Sequence, residues 1–394
     1  MKICLSSETF LPIVDGVGRV VAAYADSLGR MGHEVTVVAP MTDSGYRGNL
    51  PYEIVDFNGI GVPGIEQYRT GKPVMDAHYR RRMRMIKLDI CHAHSPFLSG
   101  TEAIRIAARN NLPLVGTFHS KYYDDFLKVT KSEQLSKIAL KYVVNFYKQC
   151  DEVWAVNAST AETLRGYGYD GEIQVMPNGV AMREADPAAI EETEIKYNLG
   201  HKPMLLFVGQ MNWKKNILRV LEAAALLHNE GRQFSLVLAG QGPDYKEIGK
   251  KVEQLGLTAI THLAGHITDA RMLDALYARA SLFVFPSLYD NAPMVVREAA
   301  VMRTPSILVH GSCAAENIQD RENGFLCEDD TRELHDLIDS VLMNKSFLDS
   351  VGQRAHETIP MSWDDIMMDA LDRYQNLIDL GKAGKLRHKT NRLI

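Results

Sequence analysis

The sequence predicts an α/β protein made of two doubly wound parallel-sheet domains in tandem. Three observations carry this. Short apolar strands alternate with amphipathic helices, the pattern of parallel sheets covered on both faces. The rhythm breaks into a polar, acidic stretch between Pro177 and about Lys202, and then restarts. The chain has 394 residues, 46% of them hydrophobic, enough for two domains that each bury a core without disulfide support.

The first half opens on a strand from Met1 to Leu5 and a loop to Gly16. A helix follows, because Val17, Val20, Val21, Tyr24, Leu28 and Met31 recur at helical spacing until Gly32 stops them. Further strands are expected at Val35–Ala39, Ile90–Ala93, Leu114–Phe118, Val153–Val156 and Ile173–Met176. The helix after Ala158 carries Ser159 and Glu162 at capping-box spacing. In the second half, strands read at Met204–Val208, Phe234–Ala239, Ile260–Leu263, Leu282–Phe285 and Ser306–Val309, with helices from Lys215, Asp244, Asp269 and about Met294. This sets a first domain at 1–183, a linker with room for a short helix at 184–200, and a second domain at 201–369. Two such domains facing each other would hold a ligand in the cleft between them, beyond the carboxyl ends of their strands.

Composition excludes several classes. A net charge of −5 gives no field to gather nucleic acid. The five cysteines are single and widely spaced, with Cys91 and Cys327 reading as small apolar strand positions, so no thiol metal or redox site is expected. A reducing cytoplasm fits this usage. The chain starts directly in a strand, without a stretch suited to a signal peptide, and no run of about 18 apolar residues would span a membrane.

The most informative segment is Pro286–Ser306, PSLYDNAPMVVREAAVMRTPS. A buried strand ends at Pro286, a loop holds Asp290 and Asn291, and Pro293 stands where first helical turns favour proline. Glu298 follows eight residues after Asp290, in the second turn. The unpaired amides of Met294 and Val295 offer a place for phosphate oxygens. Carboxylates on either side of an anion-binding helix start make sense as acceptors for hydroxyls flanking a diphosphate. The bland alternative makes Glu298 a solvated helix residue and Asp290 a cap.

This segment resembles the E-x7-E signature of family 4 glycosyltransferases, written Glu-x-x-Pro, apolar residues, Glu-Ala-x-Ala and Thr-Pro. Pro293, Glu298, Ala299, Thr304 and Pro305 match, and Asp290 stands where the family has the longer Glu. The resemblance implies that Asp290 contacts the donor sugar and Glu298 the ribose hydroxyls. GQMNWKKN (Gly209–Asn216) is similar to the family's G-R-L-x-x-x-K, whose Arg and Lys neutralise the diphosphate. Lys215 matches the Lys, and Gln210 replaces the Arg and removes one positive charge. A fixed cation suits this chemistry because a departing diphosphate develops negative charge. The plain alternative, solvated lysines at a helix start, is weakened because cations disfavour that end. Arg183, Arg219 and Arg297 stay open as sources of a second cation.

VDGVGRVV (Val14–Val21) looks like the family's N-terminal glycine loop, with Gly16 approaching the donor phosphate; a turn glycine is the bland reading. VGTFHSKYYDDF (Val115–Phe126) puts His119 in a position resembling the family's active-site histidine, where a lone histidine is otherwise more often structural. Asp124 and Asp125 in the same stretch read as caps of the following helix. LAGQGPD and HLAGHITDARMLDALYARA resemble the segments through which the family reads the base by its backbone, here Gly265, His266 and Ile267, though turn chemistry alone accounts for the glycines. ENGFL (Glu322–Leu326) and Glu316 after Ser312 complete the pattern.

The resemblance covers nearly the whole chain. It implies the two Rossmann-like domains called GT-B, a C-terminal helix (from Trp363, about 370–394) crossing back to the first domain, and retaining transfer of a hexose-type sugar from a nucleoside diphosphate, UDP foremost. The implied site is His119, Lys215 and Asp290 at the reacting sugar, with Gly16, Gln210, Gly265, His266, Ile267, Asn291, Met294, Val295 and Glu298 around the donor and no metal or cofactor. An epimerase with the same fold and a non-catalytic nucleotide-sugar sensor remain rivals. A dehydrogenase is disfavoured because Val21 stands at the third fingerprint glycine. The acceptor reads as a lipid or glycan. His78–Lys87, HYRRRMRMIK, is a basic helix whose bland reading is a solvated face. Its sharper reading is peripheral contact of Arg80–Lys87 with anionic lipid at the inner membrane face, or with an anionic acceptor.

Overall fold

The computed structural model describes residues 1–11, 15–41, 49–62, 65–387 and 389. They divide into two compact units, Met1–Gly179 with Trp363–Ile394, and Val180–Ser362. Pro12–Val14 of the N-terminal glycine loop lies outside the described residues, as does most of the basic C-terminal tail.

The first unit contains strands Lys2–Ser6 (β1), Glu34–Met41 (β2), Glu53–Asn58 (β3), Ile60–Val62 (β4), Ile65–Thr70 (β5), Ile90–Ala93 (β6), Leu114–Phe118 (β7), Glu152–Ala155 (β8) and Gln174–Val175 (β9). Seven of them form a sheet in the order β3-β2-β1-β6-β7-β8-β9, parallel throughout, and β4 pairs β5 as a separate antiparallel hairpin. β6 and β7 are buried at every residue, as a sheet covered on both faces requires. The helix Gly16–Arg30 buries Val20, Val21, Tyr24 and Leu28, and Asp15 caps it by accepting the Gly18 N–H at 2.6 Å. The C-terminal helix, Trp363–Lys382, returns to this unit: Asp364 accepts the Ser27 hydroxyl at 2.6 Å, and Tyr374 is fully buried.

The second unit contains Met204–Val208 (β10), Ser235–Ala239 (β11), Thr261–Gly265 (β12), Leu282–Val284 (β13), Ser306–Val309 (β14) and Phe325–Cys327 (β15). They form a parallel sheet in the order β12-β11-β10-β13-β14-β15. Strand order reverses between β1 and β6 in one unit and between β10 and β13 in the other. Ligands bind beyond such reversals, at the carboxyl ends of the strands.

Several local expectations change. Within the stretch 184–200, expected as a linker with room for a short helix, Pro187–Lys196 is a helix capped by Asp186, and Glu194 takes Arg279 at 2.8 Å. It belongs to the second unit, whose boundaries fall at Val180 and Ser362. The helix expected from Lys215 starts at Ile217, after a 3₁₀ turn at Trp213–Lys215. Asp124 and Asp125 lie inside the first turn of Tyr122–Thr130, whose cap position is Lys121. The helix Ala158–Gly166 is capped by Asn157, which accepts the Thr160 N–H at 2.8 Å, while Glu162 pairs with Arg165. Asn, unlike Ser159, stands one residue ahead of the first helical turn and so reaches its amide.

Asn157→Ala should therefore cost about 1 kcal/mol, a fall in Tm of roughly 2–4 °C for a protein of this size. Glu162→Ala, which a capping box would make costly, should shift Tm by no more than about 1 °C. Thermal unfolding followed by circular dichroism decides it, and the reverse ranking would restore the capping box.

Candidate functional site

In the second unit, the loops after β10, β11 and β12 are stitched through their backbones. Gly209 N–H donates to Ala239 O at 3.0 Å, Met211 N–H to Gln241 O at 3.1 Å, and Gly240 N–H to Gly265 O at 2.7 Å. Two glycines permit this closeness. A Cβ on Gly240, at φ +140°, would stand 1.8 Å from Gly209 O, and one on Gly242 would stand 2.4 Å from Met211 O. Gln210 is thus clamped between two backbone bonds while its side chain is exposed. Gly265 turns the chain at φ +68° into His266 and Ile267. Those two residues, with Tyr197, Ala264, Thr268 and Met272, line a pocket of about 200 Å³.

The turn that carries Lys215 is fastened from three sides. Asn212 accepts the Lys214 N–H at 3.0 Å, and Asp244 accepts the Trp213 N–H at 2.9 Å. Asn216, in left-handed conformation at φ 59°, donates to Pro286 O at 3.1 Å and to Asp329 at 2.8 Å. This delivers the Lys215 ammonium to Asp290, 2.5 Å from its Oδ1, with the two side chains only 14% and 20% exposed. The Ser287 hydroxyl donates to the other carboxylate oxygen at 2.6 Å. Lys214 places its ammonium 4.5 Å from the centre of the Tyr289 ring.

Asn291 follows, and the helix Met294–Val301 opens behind Pro293 with no side-chain cap, so the amides of Met294 and Val295 point out of its N-terminal end. Glu298 is not a solvated helix residue: it is 4% exposed and accepts the Tyr277 hydroxyl at 3.2 Å. The other candidate cations are engaged. Arg183 forks onto Asp274 at 2.5 and 2.6 Å, Arg219 reaches Asp329 and Thr331, and buried Arg297 donates to Ile359 O. Glu316 is exposed at the end of a 3₁₀ turn, Cys313–Ala315. Among the described residues, no group of three or more His, Cys, Asp or Glu could hold a metal ion.

In the first unit, Gly16 begins its helix, and a Cβ there would meet nothing within 4 Å. The glycine that packing demands is Gly18, whose Cβ would stand 2.9 Å from the Asp15 carboxylate. His119 follows β7 and is buried, in a feature that the sequence reading missed. His94 Nδ1 lies 3.0 Å from His119 Nε2, and the His92 ring stacks on His94 with centroids 4.1 Å apart. His92 in turn meets Thr117 at 2.6 Å and Tyr374 at 2.5 Å. The signal was CHAH: two histidines at period two in a buried strand. Burial disfavours every charged form in this stack. It pushes His119 down to about 4 and holds His92 and His94 well below the ordinary histidine range.

Unfolded histidines take a proton near pH 6.5, whereas these stay neutral until lower pH, so the unfolded chain binds more protons in between. Stability should fall as pH drops from about 6.5 toward 4, by up to about 1.4 kcal/mol per pH unit for each histidine, and gain nothing from them above 6.5. Urea unfolding at stepped pH should give this slope, and His94→Asn should make it shallower. An unchanged slope in that variant would show that His94 is not buried neutral.

Two family models match the chain: that described as Glycosyltransferase Family 4 over residues 14–184, and that described as Glycosyl transferases group 1 over residues 190–358. The chain is 22% identical over 392 residues to an alpha-monoglucosyldiacylglycerol synthase of Acholeplasma laidlawii, covering 96% of this chain and 98% of that one. Among solved structures, the sucrose-phosphate synthase of Thermosynechococcus elongatus superposes with a TM-score of 0.80 at 19% identity, over 96% of this chain and 99% of that one. Anabaena HepE, in complex with UDP, gives 0.75 at 16% identity, over 95% and 100%. The fold of two parallel-sheet domains is that of the GT-B transferases. The chain is a glycosyltransferase and belongs to family 4 of these enzymes.

Proposed function

We propose that this enzyme is a retaining hexosyltransferase that takes its sugar from a nucleoside diphosphate, UDP foremost, and passes it to a hydroxyl of a lipid or glycan. The observation that carries the reading is the Lys215–Asp290 pair, held where strand order reverses and four residues ahead of an uncapped helix start. In transfer, the bond between the anomeric carbon and the phosphate oxygen breaks and its electron pair leaves with the diphosphate. An acceptor hydroxyl forms the new glycosidic bond and gives up its proton to the departing diphosphate oxygen. Lys215 meets the growing negative charge, and the amides of Met294 and Val295 take phosphate oxygens. Asp290 and Asn291 receive sugar hydroxyls, Glu298 receives the ribose, and the backbone of Gly265–Ile267 reads the base. The family pattern adds His119 for the sugar and Gly16 for the phosphate. The scheme needs no metal, because Lys215 is its cation, and no cofactor beyond the nucleotide sugar. Retention rests on the family pattern alone.

The UDP complex of HepE supports that base, and the Acholeplasma relative, named for a glycolipid product, supports a lipid acceptor. Among the described residues no helix is long and apolar enough to cross a membrane. Peripheral contact through Arg80–Lys87 fits such an acceptor. Met75, shortly before that region, and Met85, within it, are 77% and 78% exposed.

Lys215→Ala should lower turnover more than donor affinity, because the charge it answers grows as the sugar leaves. Gln210→Arg should partly restore it, and EDTA should leave the wild type unchanged. Donor consumption across UDP-, GDP- and ADP-sugars measures all of these. Wild-type turnover in a folded Lys215→Ala variant would place the cation elsewhere, and loss in EDTA reversed by magnesium would overturn metal independence.

Glu298→Ala should weaken nucleoside-diphosphate binding by about 1.5–3 kcal/mol, the range for a hydrogen bond to a charged acceptor. Calorimetry with UDP tests this, and unchanged affinity in a folded variant would remove Glu298 from the site.

A further inference from the structure

The first unit holds a basic pocket that the transfer scheme does not use. It lies between the helices Ala77–Met85 and Leu98–Asn110, encloses about 200 Å³, and is walled by Arg80 and Arg84 on one helix and Arg105 and Arg109 on the other. Each helix therefore repeats arginine at i,i+4, a spacing that sets like charges one turn apart on one face and destabilises the helix. Both pairs then line one cavity, which compounds the repulsion. The helix dipole accounts for Arg84 and Arg109, which sit in last turns, but not for Arg80 or Arg105.

A single carboxylate answers these charges. Glu102, 4% exposed, accepts Arg105 at 2.6 Å and the hydroxyl of fully buried Tyr79 at 2.9 Å, so Arg105 is fixed in the wall by a built network. Among the described residues no ion pair takes Arg80, Arg84 or Arg109, whereas Arg82 on the same helix is held by Glu53 at 2.6 Å. Four guanidinium groups against one carboxylate leave three positive charges, on a chain whose net charge is −5. Guanidinium forks match the oxygens of phosphate, and an anion with several oxygens relieves the repulsion across the cavity. The volume is below the roughly 300–1,000 Å³ of drug-sized ligand sites, which limits the enclosed group to a small one.

We propose that this pocket binds the phosphate group of a monoester or diester, carried either by a soluble ester or by the headgroup of an anionic lipid. The lipid source rests on the membrane-contact reading given above; the soluble source does not. The test compares the full-length wild type with Arg80→Gln/Arg109→Gln, in the pocket, and Arg81→Gln/Lys87→Gln, which removes the same charge from the same region outside it. Each is titrated with glycerol 3-phosphate by calorimetry, and sedimented with vesicles of pure phosphatidylcholine or of phosphatidylcholine with phosphatidylglycerol. Either glycerol 3-phosphate binding should fall about ten-fold or more in the pocket pair and less than about two-fold in the control pair, or vesicle binding should fall about ten-fold further in the pocket pair than in the control pair, whose two charges also belong to the membrane contact.

Loss confined to glycerol 3-phosphate identifies a soluble ester, and loss confined to phosphatidylglycerol vesicles identifies the lipid. Pocket-selective binding of glycerol 3-phosphate with no vesicle binding keeps the pocket and removes the membrane contact. Equal weakening of vesicle binding in both pairs keeps the membrane contact and removes the pocket. No binding of either probe by the wild type overturns the proposal. Should the pocket pair fail to fold, the guanidinium Nε–H resonances of the wild type decide: Arg80, Arg84 and Arg109 must shift on titration, and still resonances overturn the site.

Discussion

The pair between Lys215 and Asp290 joins two loops that the chain supplies 75 residues apart. An ammonium and a carboxylate that are mostly out of water are costly to hold singly, so each loop depends on the charge of the other. The anchors around them run the same way: Asn216 bonds to Pro286 O, and Ser287 bonds to Asp290. On the proposed reading, an arriving diphosphate must share Lys215 with Asp290 or draw it away. The hydroxyl of Ser287 then remains on the carboxylate, so Asp290 is not stranded when the ammonium turns to its ligand. A cation held by an exchangeable partner is in place before the charge it is to meet appears, and this is the form of preorganisation that favours a transition state over a ground state.

Much of the candidate site beyond that pair is backbone, and backbone sets stricter limits than side chains do. The contacts of Gly240 with Gly209 and of Gly242 with Met211 leave no room for a Cβ. These glycines answer to their neighbours in the fold first and to any ligand second. The same distinction separates Gly16 from Gly18. Gly18 is required by the carboxylate that caps its own helix, whereas Gly16 has open space beside it, so any demand for glycine there comes from outside the protein.

What could be read from the sequence follows the strength of the local signal. β7, β10 and β14 fall where their short, mostly apolar runs put them. Lys215, Asp290 and Glu298 stood out as candidates because they lie at or just past loops that join a buried strand to a helix start. The hairpin β4–β5 and strand β3 were not, since β3 mixes Glu53, Asp56 and Asn58 with its apolar residues and lies at the edge of its sheet. The caps were misplaced by two to four residues because Ser159, Asp124 and Asp125 are as fit to cap as Asn157 is, and only the path of the chain selects among them. The histidine stack was hidden for a further reason. His94 and His119 are 25 residues apart, and only the pairing of β6 with β7 makes them neighbours.

The departure at Gln210 can now be weighed by its surroundings. The backbone on either side of it is held by hydrogen bonds and its side chain is exposed, so what Gln210 lacks relative to the family's Arg is charge. Arg183, Arg219 and Arg297 cannot make up the difference while bound to Asp274, Asp329 and Ile359 O. Lys214 lies over the ring of Tyr289, with its ammonium 4.5 Å from the ring centre. On the proposed reading, the diphosphate is met by the Lys215 ammonium, by Lys214 beside the Tyr289 ring, and by the first-turn amides of Met294–Val301, whose end carries about half a positive charge. A site balanced in this way leans on dipoles that neither titrate nor move. It gives up some grip on the ground-state donor and keeps its response to the charge that develops as the sugar departs.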